Sequence, residues 1–214
     1  MLPEEPYLGP FEGYTATEVR RLLETKSTTT APLFIAIDGR SAGGKSTVAK
    51  VLSDRFEAAG QVVALLHTDD FAWWHSYFDW DQMLLENAIE PLKRNQAVDF
   101  TPPAWPEHGR AGSITTPQNA SVVIIEGVGI ARENLAPHFD WVIWVQSDFE
   151  LAHQRGVLRD LSERPDLVEA ERFWQEWQAE EKPFLANSKP WQRADLVFLG
   201  TPPDKLQLWV ARVK

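Results

Sequence analysis

Gly39-Arg40-Ser41-Ala42-Gly43-Gly44-Lys45-Ser46 sets two glycines, a lysine and a hydroxyl at the spacing GxxxxGK[ST]. Each fixed residue type has a physical task. Glycine lets successive N–H groups turn inward to form an anion-binding nest. The helix that follows adds its positive end. Lys45 brings a mobile charge to the β- and γ-phosphates of a nucleotide, and the Ser46 hydroxyl can ligate Mg²⁺. The flanks agree with this reading. Leu33-Phe34-Ile35-Ala36-Ile37 ahead of it is apolar throughout, as a buried strand is, and Ser46 to Ala59 reads as a helix stopped by Gly60. A chance glycine-rich turn lacks this frame. The stretch is therefore read as a P-loop that holds ATP through Gly39, Ser41, Ala42, Gly43, Gly44, Lys45, Ser46 and Thr47.

Outward from the loop, short apolar runs recur at Val62–Leu66, Val122–Ile125, Trp141–Val145 and Leu196–Leu199, separated by helical patterns. Buried strands alternating with helices predict an α/β fold with a five-stranded parallel sheet and helices on both faces. The expected organisation is one domain over residues 1–214. Residues 1–30 form an N-terminal arm and helix, 70–120 a substrate-covering insertion, and 150–190 a lid region. Within the arm, 1–14 reads as irregular and Thr15-Ala16-Thr17-Glu18 as a capping box that opens a helix. Asp79 with Gln82 can cap a helix that runs to about Arg94. Residues 95–120, with four prolines, read as the part of the insertion lying over the active face.

Composition removes several classes of function. The net charge is −10 with no basic run, which argues against a nucleic-acid partner. The apolar runs are far too short to span a bilayer, and the first residues lack the pattern of a signal peptide. With no cysteine, thiolate metal sites and cysteine nucleophiles are excluded, and a cytoplasmic protein is expected. The sequence leaves a homo-oligomer open.

A P-loop specifies nucleotide binding, not the reaction. No Asn-Lys-x-Asp guanine motif and no Leu-Ser-Gly-Gly transporter signature is present. A small-molecule kinase needs a carboxylate near the γ-phosphate, at the C-terminal ends of the strands. The second strand ends in His67-Thr68-Asp69-Asp70-Phe71 at that face. Asp69 there can take the proton of an acceptor hydroxyl or orient it for in-line attack. Asp70, one residue on, is expected to face the other way.

With these residues in place, the sequence resembles the uridine kinase family of P-loop kinases, whose relatives act on pantothenate and ribulose phosphate. Asp38-Gly39-Arg40-Ser41 through Ser46-Thr47, followed by Asp69-Asp70-Phe71, is similar to that family's opening and strand end. The resemblance implies a nucleoside-kinase-like fold with a lid, ATP and Mg²⁺ as cofactors, and Asp69 as the base. It carries Phe71 and Asp79 to the acceptor pocket, although Asp79 also suits a plain helix N-cap. Ile124-Ile125-Glu126-Gly127 is similar to the family's third strand, which implies that Glu126 sits beside the metal. Arg155-Gly156-Val157-Leu158-Arg159-Asp160 resembles the family's lid, implying Arg155 on the nucleotide and Arg159 at the reacting phosphates; Arg164 matches more loosely.

There are departures. Ala72 stands where an aromatic is usual, Gly156 replaces a lid arginine, and Val98-Asp99-Phe100 keeps only part of a pocket segment. They bear on the acceptor rather than on phosphoryl transfer. Trp73, Trp74, Tyr77, Phe78 and Trp80 crowd just after Asp69, suited to stack on a base or to pack the covering helix. His108, near Arg110, is placed to touch an acceptor. The expected activity is transfer of the γ-phosphoryl group of ATP to a hydroxyl of a small metabolite, with a nucleoside leading. The alternatives are a pantothenate, sugar or nucleotide acceptor, or a regulatory or hydrolytic P-loop protein with no acceptor.

Overall fold

The computed structural model describes residues 5, 10–28, 31–161, 166–204 and 206–212; Arg164 and most of the arm lie outside them. In chain order the main elements begin with β1 (Glu12–Tyr14), α1 (Ala16–Leu23), β2 (Leu33–Gly39), α2 (Lys45–Glu57), β3 (Val63–His67) and α3 (Thr68–Ala72). Then come α4 (Asp81–Leu84), a π-helical turn (Leu85–Ile89), α5 (Glu90–Lys93), β4 (Asp99–Phe100), α6 (Ala104–Glu107) and β5 (Ile114–Thr115). The chain closes with β6 (Val122–Glu126), β7 (Trp141–Gln146), α7 (Phe149–Asp160), α8 (Leu167–Ser188), β8 (Leu196–Leu199) and β9 (Leu208–Arg212).

The main sheet runs β1-β9-β8-β7-β2-β6-β3. Its five strands from β8 to β3 are parallel, as the apolar runs predicted. Two further strands correct the expected count: β9 pairs antiparallel with β8, and β1 pairs antiparallel with β9. Thus the end of the irregular arm is an edge strand. Three residues bearing a glutamate and a glycine carry no periodic signal, and only the partner strand makes them extended.

Both faces of the central strands β2, β6 and β7 are buried, so these strands are apolar through most of their length yet split their residues between two cores. Phe34 and Ala36 of β2, Val123 and Ile125 of β6, and Val142 and Trp144 of β7 join one core. Leu33, Ile35, Ile37, Val122, Ile124, Ile143 and Val145 join the other, beneath α1 and α2. After β2 the chain moves to one edge through β3 and returns by β6. It then crosses to β7 on the other side of β2. Such a reversal opens a crevice at the C-terminal ends of the strands, and the GxxxxGK[ST] loop begins at the end of β2.

The capping box at α1 is present: Thr15 Oγ1 accepts from Glu18 N–H at 3.2 Å, and Thr15 N–H donates to Glu18 at 2.8 Å. The cap expected at Asp79 is not. The helix starts at Asp81 with Trp80 in the capping position, and the Asp79 carboxylate instead accepts from Ser76 Oγ at 3.2 Å. The π turn in that helix has a local cause. Pro91 has no N–H to return to Asn87, so the backbone there winds wider, with Glu90 N–H reaching Leu85 C=O.

Candidate active site

The P-loop is shaped by its own backbone and by three distant segments. Ala42 (φ 55°) and Gly44 (φ 103°) take left-handed conformations that curl the chain before α2. Among the described residues no acceptor meets the N–H of Ala42 or Gly44, as a nest that receives phosphate requires. Lys45 is buried and donates from Nζ to Arg40 C=O at 3.1 Å, closing the loop on itself. Gly200, at the end of β8, lies against the loop so closely that a Cβ there would stand 2.0 Å from Gly43 C=O.

Arg40 is wholly buried and paired with Glu5 of the arm, which also accepts from Gln146 Nε2 at 3.1 Å. From the other side Glu181 of α8, 2% exposed, accepts from Ser41 N–H at 2.6 Å. Neither contact had a signal in the sequence, since each joins residues far apart in the chain.

Asp38 anchors the crevice from below. Its carboxylate accepts from Gly39 N–H (2.7 Å), Gly129 N–H (2.9 Å) and Ala131 N–H (2.8 Å), tying the loop after β6 to β2. Burial raises its pKa to about 6 against the pull of those three donors.

Glu126 ends β6, and its Oε1 accepts from Ser46 Oγ at 2.8 Å and from His67 Nδ1–H at 2.7 Å. The parallel register sets His67 opposite Glu126 in the sheet. Nothing local in the sequence gives His67 a partner; the register does. Burial opposes ionisation of Glu126, but His67, Lys45 and Ser46 outweigh it and bring its pKa below the usual value. Its hydrogen bond in turn raises the pKa of His67. Gly127 admits no side chain, since a Cβ would fall 1.7 Å from Thr68 Oγ1. The end of β6 therefore presses on the start of α3, the helical turn that carries Asp69.

Asp69 and Asp70 lie on that turn rather than on the strand, where consecutive residues point about 100° apart. Asp69 borders a cavity of about 610 Å³ together with Ser41, Arg159, Trp73, Trp74 and Trp174. It is open to the cavity yet enclosed by protein around it. Burial raises its pKa and so does the charge of Glu126, while Lys45, Arg159 and His67 draw it back. Asp70 turns away and accepts from Arg110 at 2.7 Å, and its C=O accepts from Trp105 Nε1 at 3.0 Å.

The remaining site residues separate. Arg159 reaches the cavity, with Nε donating to Asp160 at 2.8 Å. Arg155 donates to Thr201 Oγ1 at 3.1 Å, holding the segment that packs on the P-loop. Gly156 is required by its neighbour, because a Cβ there would lie 2.0 Å from the Trp174 ring. Thr47 is exposed on the first turn of α2.

Three residues expected in the acceptor pocket do not line this cavity. Phe71 is fully buried and stacks on Phe100, 6.1 Å between centroids. Asp79 does not border the cavity, and His108 backs Trp74 instead of lining it. Residues 72–77, α7 and α8 form the wall; 95–120, expected over the active face, lines none of it among the described residues and packs behind 70–74.

A sequence profile of the Phosphoribulokinase / Uridine kinase family matches residues 73–206. The chain is similar to a uridine kinase of Shewanella sp. (strain W3-18-1), 26% identical over 155 residues that cover 64% of this chain and 73% of that one. Its fold is shared with a structure described as a fructose transport system kinase from Silicibacter sp. TM1040. That match has a TM-score of 0.61, 20% identity, and covers 85% of this chain and 96% of the other. It is shared also with D-glycerate 3-kinase from Cryptococcus neoformans var. grubii, with a TM-score of 0.54, 14% identity, and coverage of 86% and 91%.

Proposed function

The chain belongs to the phosphoribulokinase / uridine kinase family, and from that premise we propose that it transfers the γ-phosphoryl group of ATP, with Mg²⁺, to a hydroxyl of a nucleoside. The observation that carries the reading is one cavity bordered by Asp69, by Ser41 of the P-loop and by Arg159, and walled with aromatic rings.

The residues present suit ATP and Mg²⁺. The curled loop offers free N–H groups and Lys45 to phosphate oxygens, and Ser46 with Glu126 offers oxygen to a hard cation. Among the described residues no cluster of three His, Asp or Glu forms a separate metal site. When bound, the cation supplies neutralisation of phosphate charge. The chain's own part is to hold and to move a proton. Glu126 stays ionised, fixed by Ser46 and His67. Asp69 accepts the proton of the acceptor hydroxyl, and its raised pKa makes it a better base than a solvated aspartate. Lys45 and Arg159 supply positive charge where negative charge builds up on the transferred group.

An uncharged acceptor is supported over a carboxylated or phosphorylated one. Of lysine and arginine, only Arg159 borders the cavity among the described residues, and it already faces Asp160. A cavity of this size also argues for a dedicated acceptor rather than hydrolysis alone. A cytoplasmic location belongs to the same proposal and rests on the cysteine-free composition. Among the described residues no helix is long and apolar enough to cross a membrane.

The test is phosphorylation of a panel holding uridine, cytidine, pantothenate, D-glycerate and fructose, with each product identified by mass. A nucleoside monophosphate is expected. Turnover confined to fructose or to an acid overturns the acceptor assignment.

A further inference from the structure

Among the described phenylalanine, tryptophan and tyrosine residues the exposed rings are Trp73 (45%), Trp74 (45%) and Tyr77 (40%), and all three border the cavity that holds Asp69. Rings that only pack turn inward, as Trp80 and Phe71 do, 1% and 0% exposed. Trp74 has a second anomaly. Its φ of 58° lies in the left-handed region, which a bulky side chain avoids and which needs surrounding contacts to hold it. Those contacts are aromatic. The imidazole of His108 lies parallel to the indole, 5.0 Å between centroids at 3°, and Trp73 meets it edge-on at 4.8 Å. His108 is itself fixed, because Nδ1–H donates to Ala104 C=O at 2.9 Å. Strain is thus maintained to keep one indole supported by a ring and still open to the cavity.

We propose that Trp74, backed by His108 and flanked by Trp73, is the specificity-determining platform on which a planar, uncharged ring of the acceptor stacks. The proposal rests on the nucleoside reading and adds to it the residue that holds the base ring and so favours an acceptor that carries one. An indole suits this task because its face attracts planar rings whatever their hydrogen-bond pattern. The surroundings suit a neutral ring, since Arg159 is offset by Asp160, and His75 is the other basic group on the wall.

The test is calorimetric titration of uridine, and separately of ribose, into the full chain with Mg²⁺ and a non-hydrolysable ATP analogue. Wild type is compared with Trp74→Gly, Trp74→Phe and His108→Ala. Uridine affinity falls about tenfold or more in Trp74→Gly, the usual worth of one stacked base, and much less in Trp74→Phe. His108→Ala falls between them, and ribose affinity stays the same in all four proteins. Glycine suits the left-handed backbone, so the Trp74→Gly protein melts within about 3 °C of wild type and binds the ATP analogue equally. Equal uridine affinity in wild type and Trp74→Gly overturns the platform and leaves the nucleoside reading standing. Binding of ribose but not uridine by wild type overturns both, at the level of the acceptor. Loss of ATP-analogue affinity along with uridine marks the ring as scaffold for the whole cleft and also overturns the platform.

Discussion

The Glu181 carboxylate receives the N–H of Ser41 at 2.6 Å, although the two residues are 140 apart in the chain. Trp174, Trp177, Glu181 and Phe184 fall at spacings of three and four, on one face of α8. Phe184 stacks on Phe78 at 4.0 Å and Trp177 meets Tyr77 at 5.0 Å. One helix face therefore touches both the phosphate loop and the aromatic segment that follows Asp69.

Glu181→Gln keeps an oxygen for Ser41 while removing the charge. Burial raises the pKa of Glu181, so the folded chain holds that proton more firmly than the unfolded chain does. A raised carboxylate loses stability as pH climbs from its unfolded value, 4.5, through the raised one. Asp38 behaves alike, and its rise from 3.8 to about 6 makes its ionisation cost about 3 kcal/mol. Denaturant unfolding of Glu181→Gln should thus show a gain over wild type that grows with pH above 4.5. Glu181→Ala, which leaves Ser41 N–H without its acceptor, should lose about 1–3 kcal/mol. A wild type and a Gln variant differing by the same amount at every pH would show that Glu181 titrates alike folded and unfolded.

Asp69→Asn should retain ATP affinity and lose about 10²–10⁴ in kcat, the usual worth of a positioned base. On the proposed mechanism the rate requires ionised Asp69, so kcat/KM should fall as pH drops through its raised pKa. This acid limb should lie above the 3.8 of an ordinary aspartate and vanish in the variant. Asp70→Asn weakens the contact to Arg110, a partly exposed pair, so kinetics should change little and stability by about 1 kcal/mol or less. Steady-state rates of the two variants decide it; a larger loss at Asp70 would move the base by one residue.

The two arginines of α7 should part company. Arg155 holds Thr201 in the segment packed on the P-loop, so Arg155→Ala should raise KM for ATP. Arg159 faces the cavity beside Asp69, so Arg159→Ala should lower kcat more than it raises that KM. If both variants kept wild-type kcat with saturating acceptor, α7 would have no part in the chemistry.

Gly156→Ala tests the packing of α7 on α8. A methyl group at 2.0 Å from the Trp174 ring must push the ring or the helix aside. The expected cost is about 1–3 kcal/mol, the usual range for overpacking. Since Trp174 also borders the cavity, KM for the acceptor should rise with little change in KM for ATP. Thermal melting and initial rates on the same preparation check both; an unshifted melting temperature would mean that the two helices separate freely.

The sequence alone determined what short-range chemistry can encode. The spacing of Gly39, Gly44, Lys45 and Ser46 specifies a curled loop before a helix, because the conformations it needs are properties of those residues. Uniform apolar runs specify parallel strands buried on both faces, and Thr15 with Glu18 closes its capping box over a span of three residues. Tertiary structure decided everything that depends on which segments meet. Strand register gave His67 to Glu126, and a helical turn sent Asp69 into the cavity and Asp70 to Arg110. Packing buried Phe71, set His108 behind Trp74 and delivered Glu181 to Ser41. β1 was invisible for the same reason, since an edge strand takes its conformation from a partner almost two hundred residues away. Local preferences act within a turn or two, whereas these contacts come from burying distant surfaces together, and their residues carry no pattern until the sheet has brought them side by side.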